Sequence, residues 1–261
     1  VYVFQWTGSE WVETQKLLAS DGARYDRFGG AVSMSGNLAV IGASKNDDNG
    51  YNSGSAYVFS FDGNNWVEDE KLIPSDGVTE DEFGISVSID GDFAIVGAMY
   101  VDDVPTNSGS AYIFRLDEGD WIEEQKLAPS DVVHWDHSGM AVSINGDLAL
   151  VSSHMDDDKG SNSGSAYLYR RDSGAWVEEQ KLVPQDGAAQ DHYGNAVSLG
   201  SHFAMIGSRY DDDNGSESGS AYLYRVREEL IDQEIPATTP FSLALGFVTL
   251  ITIGIMRRSK A

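Results

Sequence analysis

The stretch Gly109-Ser110-Ala111-Tyr112-Ile113-Phe114, followed by Trp121-Ile122-Glu123-Glu124-Gln125-Lys126-Leu127, decides the fold because it recurs along the chain. Both parts return at intervals of 55 residues: the tetrapeptide Gly-Ser-Ala-Tyr begins at Gly54, Gly109, Gly164 and Gly219, and the tryptophans are Trp11, Trp66, Trp121 and Trp176. A fixed period of this size is typical of repeat proteins, in which one unit buries its apolar surface only against the next unit. The 261 residues therefore predict one repeat array.

Each period contains four short strand patterns separated by turn residues. In the second complete repeat they are 83–89, 93–98, 111–115 and 121–127. The second is a continuous apolar run, as in a strand covered on both faces, whereas the fourth is charged and is predicted at the outer edge. Asp90-Gly91 predicts a tight hairpin between the first two strands. The sequence therefore predicts an all-β fold, a β-propeller of four-stranded antiparallel blades.

The positions of the repeats define the predicted blades: a half blade at 1–17 and full blades at about 28–72, 83–127, 138–182 and 193–235. A β-sandwich of short strands is the alternative, but it would not explain the unbroken period. The half blade would present an open strand edge at the N-terminus, where unpaired backbone groups favour association. We therefore expect either further blades upstream or closure with a partner.

The composition changes after a predicted linker at 236–240. Residues 241–256 carry no charge, and an uncharged run counted from Ile235 is long enough to cross a bilayer, which takes roughly 20 residues. The basic tail 257–261 is predicted to be cytoplasmic, which places the repeats outside the cell. The sequence therefore predicts a C-terminal transmembrane helix in a single-pass protein of the cell membrane. A buried core helix and a sorting signal that is cut and exchanged for another anchor are the alternatives.

The charge balance restricts the partners of the protein. Lys and Arg number 17 against 42 Asp and Glu, which gives a formal charge of -25. Such a charge disfavours nucleic acid and anionic lipid surfaces and favours cations or basic surfaces. The chain has no cysteine, so no disulfide framework holds the fold. It begins Val1-Tyr2-Val3-Phe4 without a signal peptide, and we expect a further segment upstream.

The loops between the second and third strands are the best candidates for a binding site. Calcium prefers six to eight hard oxygen ligands, which alternate positions of a short glycine-containing loop can supply. The loops 46–50, 156–160 and 211–215 show this alternation, and the candidate calcium ligands are Asn46, Asp48, Asp156, Asp158, Asp211 and Asp213. The alternative is that these loops are solvated acidic turns, since the matching loop 101–105 lacks the alternation and no glutamate follows at the EF-hand spacing.

Four further aspartates occupy one place in every repeat, namely Asp26, Asp81, Asp136 and Asp191. A carboxylate at a fixed place in each loop between blades is typical of an Asx turn, in which it accepts backbone N–H bonds. We therefore predict a structural function for these four residues.

His134, His137 and His154 form the only histidine-rich neighbourhood of the sequence. A His-x-x-His pair can bind a transition metal if a third ligand converges, but this pair occurs in one repeat only. The sequence contains no Ser-His-Asp order, glycine-rich phosphate loop or Cys-x-x-Cys pair, so nucleophilic and nucleotide chemistry are not predicted.

Asp81-Glu82-Phe83-Gly84, Val96-Gly97-Ala98 and Gly109-Ser110-Ala111-Tyr112 resemble the FG-GAP repeat of integrin α-subunit propellers and of many microbial surface proteins. The resemblance covers residues 1–224. It implies a β-propeller, often seven-bladed, that is exposed at the cell surface and used for adhesion or ligand recognition. The calcium loop that this family often carries between the first two strands is replaced by the turn Ile89-Asp90-Gly91-Asp92, so that calcium site is not carried over.

These observations predict a cell-surface adhesion or ligand-binding propeller that is not an enzyme. Its expected partners are an extracellular protein or glycan, the membrane through the C-terminal helix, and no nucleic acid. The blades are nearly interchangeable, whereas a glycosidase needs two positioned carboxylates in one place. The alternatives are an accessory propeller of a surface glycan-processing enzyme and a purely structural envelope component.

Overall fold

A computed structural model describes residues 1–102 and 106–226. These residues form seventeen β-strands and no helix. In chain order the strands are β1 Tyr2–Trp6, β2 Trp11–Lys16, β3 Val32–Ser35, β4 Leu38–Ala43, β5 Ser55–Phe61, β6 Trp66–Leu72, β7 Ser86–Asp90, β8 Phe93–Ala98, β9 Ser110–Asp117, β10 Asp120–Leu127, β11 Ser138–Asn145, β12 Leu148–Ser153, β13 Ser165–Asp172, β14 Ala175–Leu182, β15 Tyr193–Leu199, β16 Phe203–Ser208 and β17 Ser220–Arg225. The predicted all-β fold is confirmed.

The strands form five antiparallel sheets that follow one another along the chain. We number them sheet 1 (β1–β2), sheet 2 (β3–β6), sheet 3 (β7–β10), sheet 4 (β11–β14) and sheet 5 (β15–β17). In every sheet each strand pairs with the next strand in sequence, so the three complete sheets are four-stranded meanders. The predicted repeating four-stranded unit is confirmed, and the arrangement is propeller-like.

Local sequence accounts for the order of strands within a sheet. The hairpin between β7 and β8 is tight, since Asp90 pairs with Phe93 across a two-residue loop. Gly91 in this loop has φ of 55°, a conformation that glycine adopts without steric cost. The predicted hairpin at Asp90-Gly91 is therefore confirmed. Most residues of the charged fourth strands are exposed or half-buried, as expected of an outer strand.

Each sheet has two apolar faces, because successive side chains of a strand point to opposite sides. In sheet 2 one face carries Tyr57 and Phe59, and we call it the aromatic face. The opposite face carries Val40, Val58 and Leu72, and we call it the aliphatic face. The same two faces recur in the other sheets at the corresponding repeat positions.

Neighbouring sheets pack face to face in one orientation, so that the aliphatic face of one sheet contacts the aromatic face of the next. Val58 on the aliphatic face of sheet 2 lies in one buried cluster with Tyr112 and Phe114 of the aromatic face of sheet 3. Close approach of the backbones requires glycine, since a Cβ on Gly97 would overlap the carbonyl oxygen of Gly139 in sheet 4. Gly97 and, at the same repeat position in sheet 2, Gly42 are therefore contact points between neighbouring sheets.

Several predicted segments lie outside the described residues. These are the fourth strand of the last blade at about 230–235, the linker 236–240, the transmembrane segment 241–256 and the basic tail 257–261. Among the residues that the structure describes, no helix has the length and apolar character needed to cross a bilayer. The transmembrane helix stays a prediction from sequence.

Candidate functional site

The loops that join second to third strands and the linkers that join consecutive sheets meet at one end of the sheets. For example, the Glu80 N–H donates to the Tyr51 carbonyl oxygen at 2.8 Å, and the Gln190 N–H donates to the Ser161 carbonyl oxygen at 2.8 Å. We call this end the loop face, and it comprises residues 18–27, 44–54, 73–82, 99–102, 106–109, 128–137, 154–164, 183–192 and 209–219. All the candidate metal ligands lie on it.

The first candidate ligand of each acidic loop stabilises the loop itself. Asp156 Oδ1 accepts the N–H of Asp158 at 2.9 Å, and Asp211 Oδ1 accepts the N–H of Asp213 at 3.0 Å. The Asn46 amide oxygen accepts the corresponding N–H in the first complete repeat at 3.1 Å. These are Asx turns, which tighten a loop without any bound ion.

A lysine from the fourth strand occupies the position between the carboxylates in two repeats. Lys181 Nζ lies 2.8 Å from Asp131, 2.9 Å from Asp156 and 2.6 Å from Asp158. Burial alone would lower the pKa of Lys181, but its hydrogen bonds to Asp131, Asp158 and Asp156 outweigh burial and raise the pKa above the usual value. Lys71 pairs in the same way with Asp21 and Asp48. Calcium at these loops would have to displace a bound ammonium group.

A buried tyrosine completes each of these clusters. The Tyr167 hydroxyl lies 2.8 Å from Asp131 and 3.1 Å from Asp156, and the Tyr57 hydroxyl donates to Asp21 at 2.7 Å. Burial, and then the charge of Asp156, raise the pKa of Tyr167 far above its usual value, so it stays a neutral donor. Sequence reasoning missed these tyrosines, the lysines and the linker aspartates. The available signal was their shared period, since Asp21, Asp76, Asp131 and Asp186 are spaced by 55 residues.

The acidic loop 211–215 differs from the other two. Asp211 and Asp186 are bound by the Tyr222 hydroxyl, at 2.8 and 3.1 Å, and no lysine or arginine among the described residues pairs with Asp211 or Asp213. Repulsion from Asp211 raises the pKa of Asp213. The residue one period after Lys181 is Pro236, which lies outside the described part of the chain.

No group of three or more histidine, aspartate or glutamate side chains within residues 1–102 and 106–226 is arranged to hold a metal ion. The structure brings Asp156 together with Asp158, and Asp211 together with Asp213. The ammonium group of Lys181, however, already pairs with both carboxylates of the first pair. Calcium at the six candidate ligands therefore stays a prediction.

The aspartates at one place in every repeat accept backbone hydrogen bonds, as predicted. Asp81 accepts the N–H of Val78 at 2.7 Å, and Asp136 accepts the N–H of Val133 at 2.6 Å. Asp26 and Asp191 form the same three-residue turns. Burial raises the pKa of both Asp81 and Asp136 to about 6, although these hydrogen bonds oppose the shift.

Three histidines form a stack on the loop face, two from the linkers before sheets 4 and 5 and one from the loop that follows β12. The ring centroids of His137 and His154 lie 5.8 Å apart, and those of His154 and His192 lie 5.7 Å apart. Tyr100 and Tyr210 flank the stack at 4.9 Å from His137 and 5.0 Å from His192. The His-x-x-His pair, His134 and His137, belongs to no metal-holding group among the described residues. His134 Nδ1 accepts the N–H of Thr106 at 3.0 Å.

His154, at the centre of the histidine stack, is buried and neutral at pH 7. His154 is 7% exposed, and among the described residues neither its Nδ1 atom nor Nε2 of His137 has a hydrogen-bond partner. Burial, followed by repulsion from His137 and His192, lowers the pKa of His154 to about 4. Trp135 lies beside the stack, 6.3 Å from His137 between ring centroids, and is largely exposed. The stack and Trp135 distinguish this part of the loop face from the other repeats.

A cleft of about 200 Å³ adjoins this stack through Tyr100, and its other lining residues are Lys45, Asn52, Glu80, Glu82 and Asn107. Lys45 and Glu82 form an ion pair across neighbouring sheets at its wall. The loop face therefore combines exposed aromatic surface with fixed hydrogen-bonding groups, which is the usual composition of a small-ligand site.

Comparison with solved structures finds a likeness to the crystal structure of Saccharomyces cerevisiae Sqt1, at 11% sequence identity and a TM-score of 0.45. The match covers 77% of this chain and 46% of that chain, so the chain spans less than half the length of that structure. This likeness carries no argument about function. No curated protein matches the chain.

The FG-GAP repeat family matches the chain in four consecutive ranges, 11–59, 66–114, 121–169 and 176–224. Each range begins at a repeated tryptophan of a fourth strand and ends in the third strand of the next sheet. The family unit therefore spans the junction between two sheets, where the linker and the acidic loop meet. The predicted resemblance is confirmed, and the chain belongs to the FG-GAP repeat family.

Proposed function

We propose that the chain is a non-catalytic, ligand-binding propeller domain of the cell surface and that its loop face recognises an extracellular glycan or protein. The observation that carries this proposal is the asymmetry of the loop face. The sheets repeat closely, yet the loop face concentrates exposed Trp135, the histidine stack and the polar cleft in one region. A surface that departs from the repeat in this way is suited to a single ligand.

A glycan is the ligand that the chemistry of this region favours. A sugar ring has apolar C–H faces and a rim of hydroxyl groups, which match an aromatic side chain beside fixed polar groups. Trp135 is 59% exposed and supplies such an aromatic surface. Glu80 and Asn107 of the nearby cleft supply carboxylate and amide groups. The clustered carboxylates of the described acidic loops bind lysine, tyrosine and backbone N–H groups, which supports binding rather than catalysis.

The experiment is a binding screen of the full chain, kept in non-ionic detergent, against immobilised glycans and extracellular matrix proteins. Trp135→Ala is expected to weaken binding at least about 10-fold, as removal of a central aromatic anchor does at many interfaces. Tyr25→Ala is the matched control, because Tyr25 occupies the same repeat position and is also exposed. Equal binding by wild type and Trp135→Ala would contradict the proposed site. Binding to proteins but to no glycan would show that the ligand is a protein.

Membrane anchoring is part of the same proposal, and the uncharged run 241–256 with the basic tail 257–261 supports it. The expected outcome is that the full chain stays with membranes after extraction at high pH, while protease added to intact cells removes the repeats. Release by alkali, or protection of the repeats in intact cells, would contradict single-pass anchoring with extracellular repeats.

A further inference from the structure

The acidic loop 211–215 contains the start of a tripeptide that occurs once in the chain. Asn214-Gly215-Ser216 is the only Asn-x-Ser or Asn-x-Thr sequence among the 261 residues, and its middle residue is not proline. Such a tripeptide is the acceptor sequence for attachment of an oligosaccharide to the asparagine amide. Because a tripeptide alone recurs by chance, its structural environment decides whether it can act as an acceptor.

The acceptor tripeptide lies at the surface of the loop face. Asn214 and Ser216 are both exposed. Their exposure is a property of the repeat position, because the same two positions are exposed in loops against which the next linker is bound. The corresponding pairs are Asn49 with Tyr51 and Lys159 with Ser161. The next linker donates to the second member of each pair, since the N–H groups of Glu80 and Gln190 bind the carbonyl oxygens of Tyr51 and Ser161.

The hydrogen bonds that hold this loop engage the backbone of the acceptor tripeptide. The Asn214 N–H donates to Ser218 Oγ at 3.3 Å, and the Gly215 N–H donates to the Asp212 carbonyl oxygen at 3.0 Å. The carboxylate of Asp212 accepts the N–H of Glu217 at 2.6 Å. The side-chain amide of Asn214, which is the group that glycosylation modifies, takes no part in these bonds. A substituent on that amide therefore adds bulk at the surface without breaking a bond that shapes the loop.

We propose that Asn214 is an N-glycosylation site and that its substrate is an oligosaccharide linked through phosphate to a lipid carrier. This inference rests on the proposed function, because the acceptor tripeptide is modified on exported chains. In the transfer, the Asn214 side-chain nitrogen forms a bond to C1 of the first sugar, and the bond between C1 and the phosphate oxygen breaks. The lipid phosphate is the leaving group, and the amide loses one proton to a base of the transferase.

The chain contains its own control for this proposal. Residues 47–50 and residues 212–215 have the same sequence, Asp-Asp-Asn-Gly. The two loops also have the same hydrogen bonds, since the Asn49 N–H donates to Ser53 Oγ at 3.1 Å. The difference lies in the next residue, which is Tyr51 in the first loop and Ser216 in the second. Asn49 therefore shares the loop of Asn214 but lacks the hydroxyl group that the acceptor sequence requires, and it is expected to carry no glycan.

The test is mass spectrometry of the full chain, purified in non-ionic detergent from membranes of the cells that naturally make it. Trypsin releases Asn214 in the peptide 210–225 and Asn49 in the peptide 46–71. The peptide 210–225 is expected to carry the mass of an oligosaccharide, which electron-transfer fragmentation places on Asn214. The peptide 46–71 is expected to be unmodified. Expressed in the same cells, Asn214→Gln and Ser216→Ala should lose the glycan, whereas Ser216→Thr should keep it.

All three substitutions change exposed side chains, and circular dichroism checks that the variants fold. An unmodified peptide 210–225 in the wild type overturns the proposal. A glycan on Asn49, a glycan that persists in Ser216→Ala, or its loss in Ser216→Thr also overturns it, because the modification would then not follow the acceptor sequence.

Protease added to intact cells separates failure of this proposal from failure of the proposed function. Digestion of the repeats together with an unmodified Asn214 overturns the glycosylation site and leaves the extracellular placement standing. Protection of the repeats together with an unmodified Asn214 overturns both. A glycan on Asn214 with equal ligand binding by wild type and Trp135→Ala supports the glycosylation site and contradicts the proposed ligand site.

Discussion

Lys181 Nζ lies 2.9 Å from Asp156 Oδ2, although the two residues are 25 positions apart in the sequence. The carboxylate belongs to a buried acidic loop, and the ammonium group comes from the outer strand of the same sheet. Only 5% of the Asp156 side chain is exposed, so water contributes little to the solvation of its charge. The lysine therefore replaces the counter-ion that such a loop would otherwise need.

Removal of this ammonium group is expected to destabilise the fold. Lys181→Ala leaves the buried Asp156 carboxylate without its counter-charge and should lower the free energy of unfolding by roughly 2–3 kcal/mol. Lys159→Ala is the control, because Lys159 lies exposed in the same acidic loop. Urea denaturation of both variants and the wild type measures the difference. Equal stability of the two variants would show that the Lys181 pair contributes nothing.

The calcium prediction can be tested at the acidic loop 211–215, where no ammonium group among the described residues competes. If calcium binds there, it stabilises the folded state in proportion to its saturation and raises the midpoint of thermal unfolding. Asp213→Asn should remove most of that rise. Asp158→Asn should leave it, since Lys181 already occupies the cluster around Asp158. A midpoint that is unchanged by millimolar calcium and by excess chelator would show that the calcium prediction is wrong.

The histidine stack is expected to make the fold sensitive to acid. The pKa of His154 is lowered to about 4, so its stabilising contribution is complete above the unfolded value near 6.5 and is lost as the pH falls through 4. The wild type should lose roughly 2–3 kcal/mol relative to His154→Phe between pH 7 and pH 4. Subtracting the variant from the wild type at each pH cancels the titration of other groups, including Asp81 and Asp136.

His137 and His192 act on the charge of His154 within the stack, and Arg209 and Asp191 act on His192. His202→Phe is the control for the histidine prediction, because His202 lies outside the stack and pairs with Ser201. Denaturation curves at pH 7, 5.5 and 4 provide the measurement. A pH-independent difference between wild type and His154→Phe would refute a protonation effect at His154.

The contact between sheets 3 and 4 is expected to be destabilised by the addition of a single methyl group. A Cβ on Gly97 would overlap the backbone of Gly139, so Gly97→Ala should cost about 3 kcal/mol or more by forcing two sheets apart. Gly207→Ala is the matched control at the same repeat position, where the nearest atoms lie 3.7 Å from a Cβ. Neither glycine has a positive φ, so the comparison isolates the contact. Similar unfolding midpoints for the two variants would contradict the face-to-face packing.

Much of the fold was predictable because it depends on residues close together in the sequence. The 55-residue period, the tight hairpin at Asp90-Gly91 and the alternation of the strands all follow from local patterns. The backbone bonds of Asp81 and Asp136 were predictable for the same reason, since each carboxylate binds an N–H only three residues away. A short turn has few conformations, so the residue types suffice to indicate it.

The candidate site was only partly predictable. The acidic loops were found from their residue types, but their partners were not, because Lys181 reaches Asp131 across 50 positions of sequence. The histidine-rich neighbourhood of the sequence includes His134, whereas the stack in the structure leaves out His134 and contains His192. These contacts depend on which linker lies over which sheet, and this arrangement cannot be predicted from a local sequence pattern.

The sequence by itself determined the repeat, the order of strands within each sheet and the turns, because backbone hydrogen bonding and side-chain alternation act over a few residues. Only the tertiary structure decided the partners of the carboxylates, the histidine stack and the polarity with which an aliphatic face meets an aromatic face. The physical reason is that these features arise where separate sheets stack, and stacking joins residues about one period apart through burial of apolar surface.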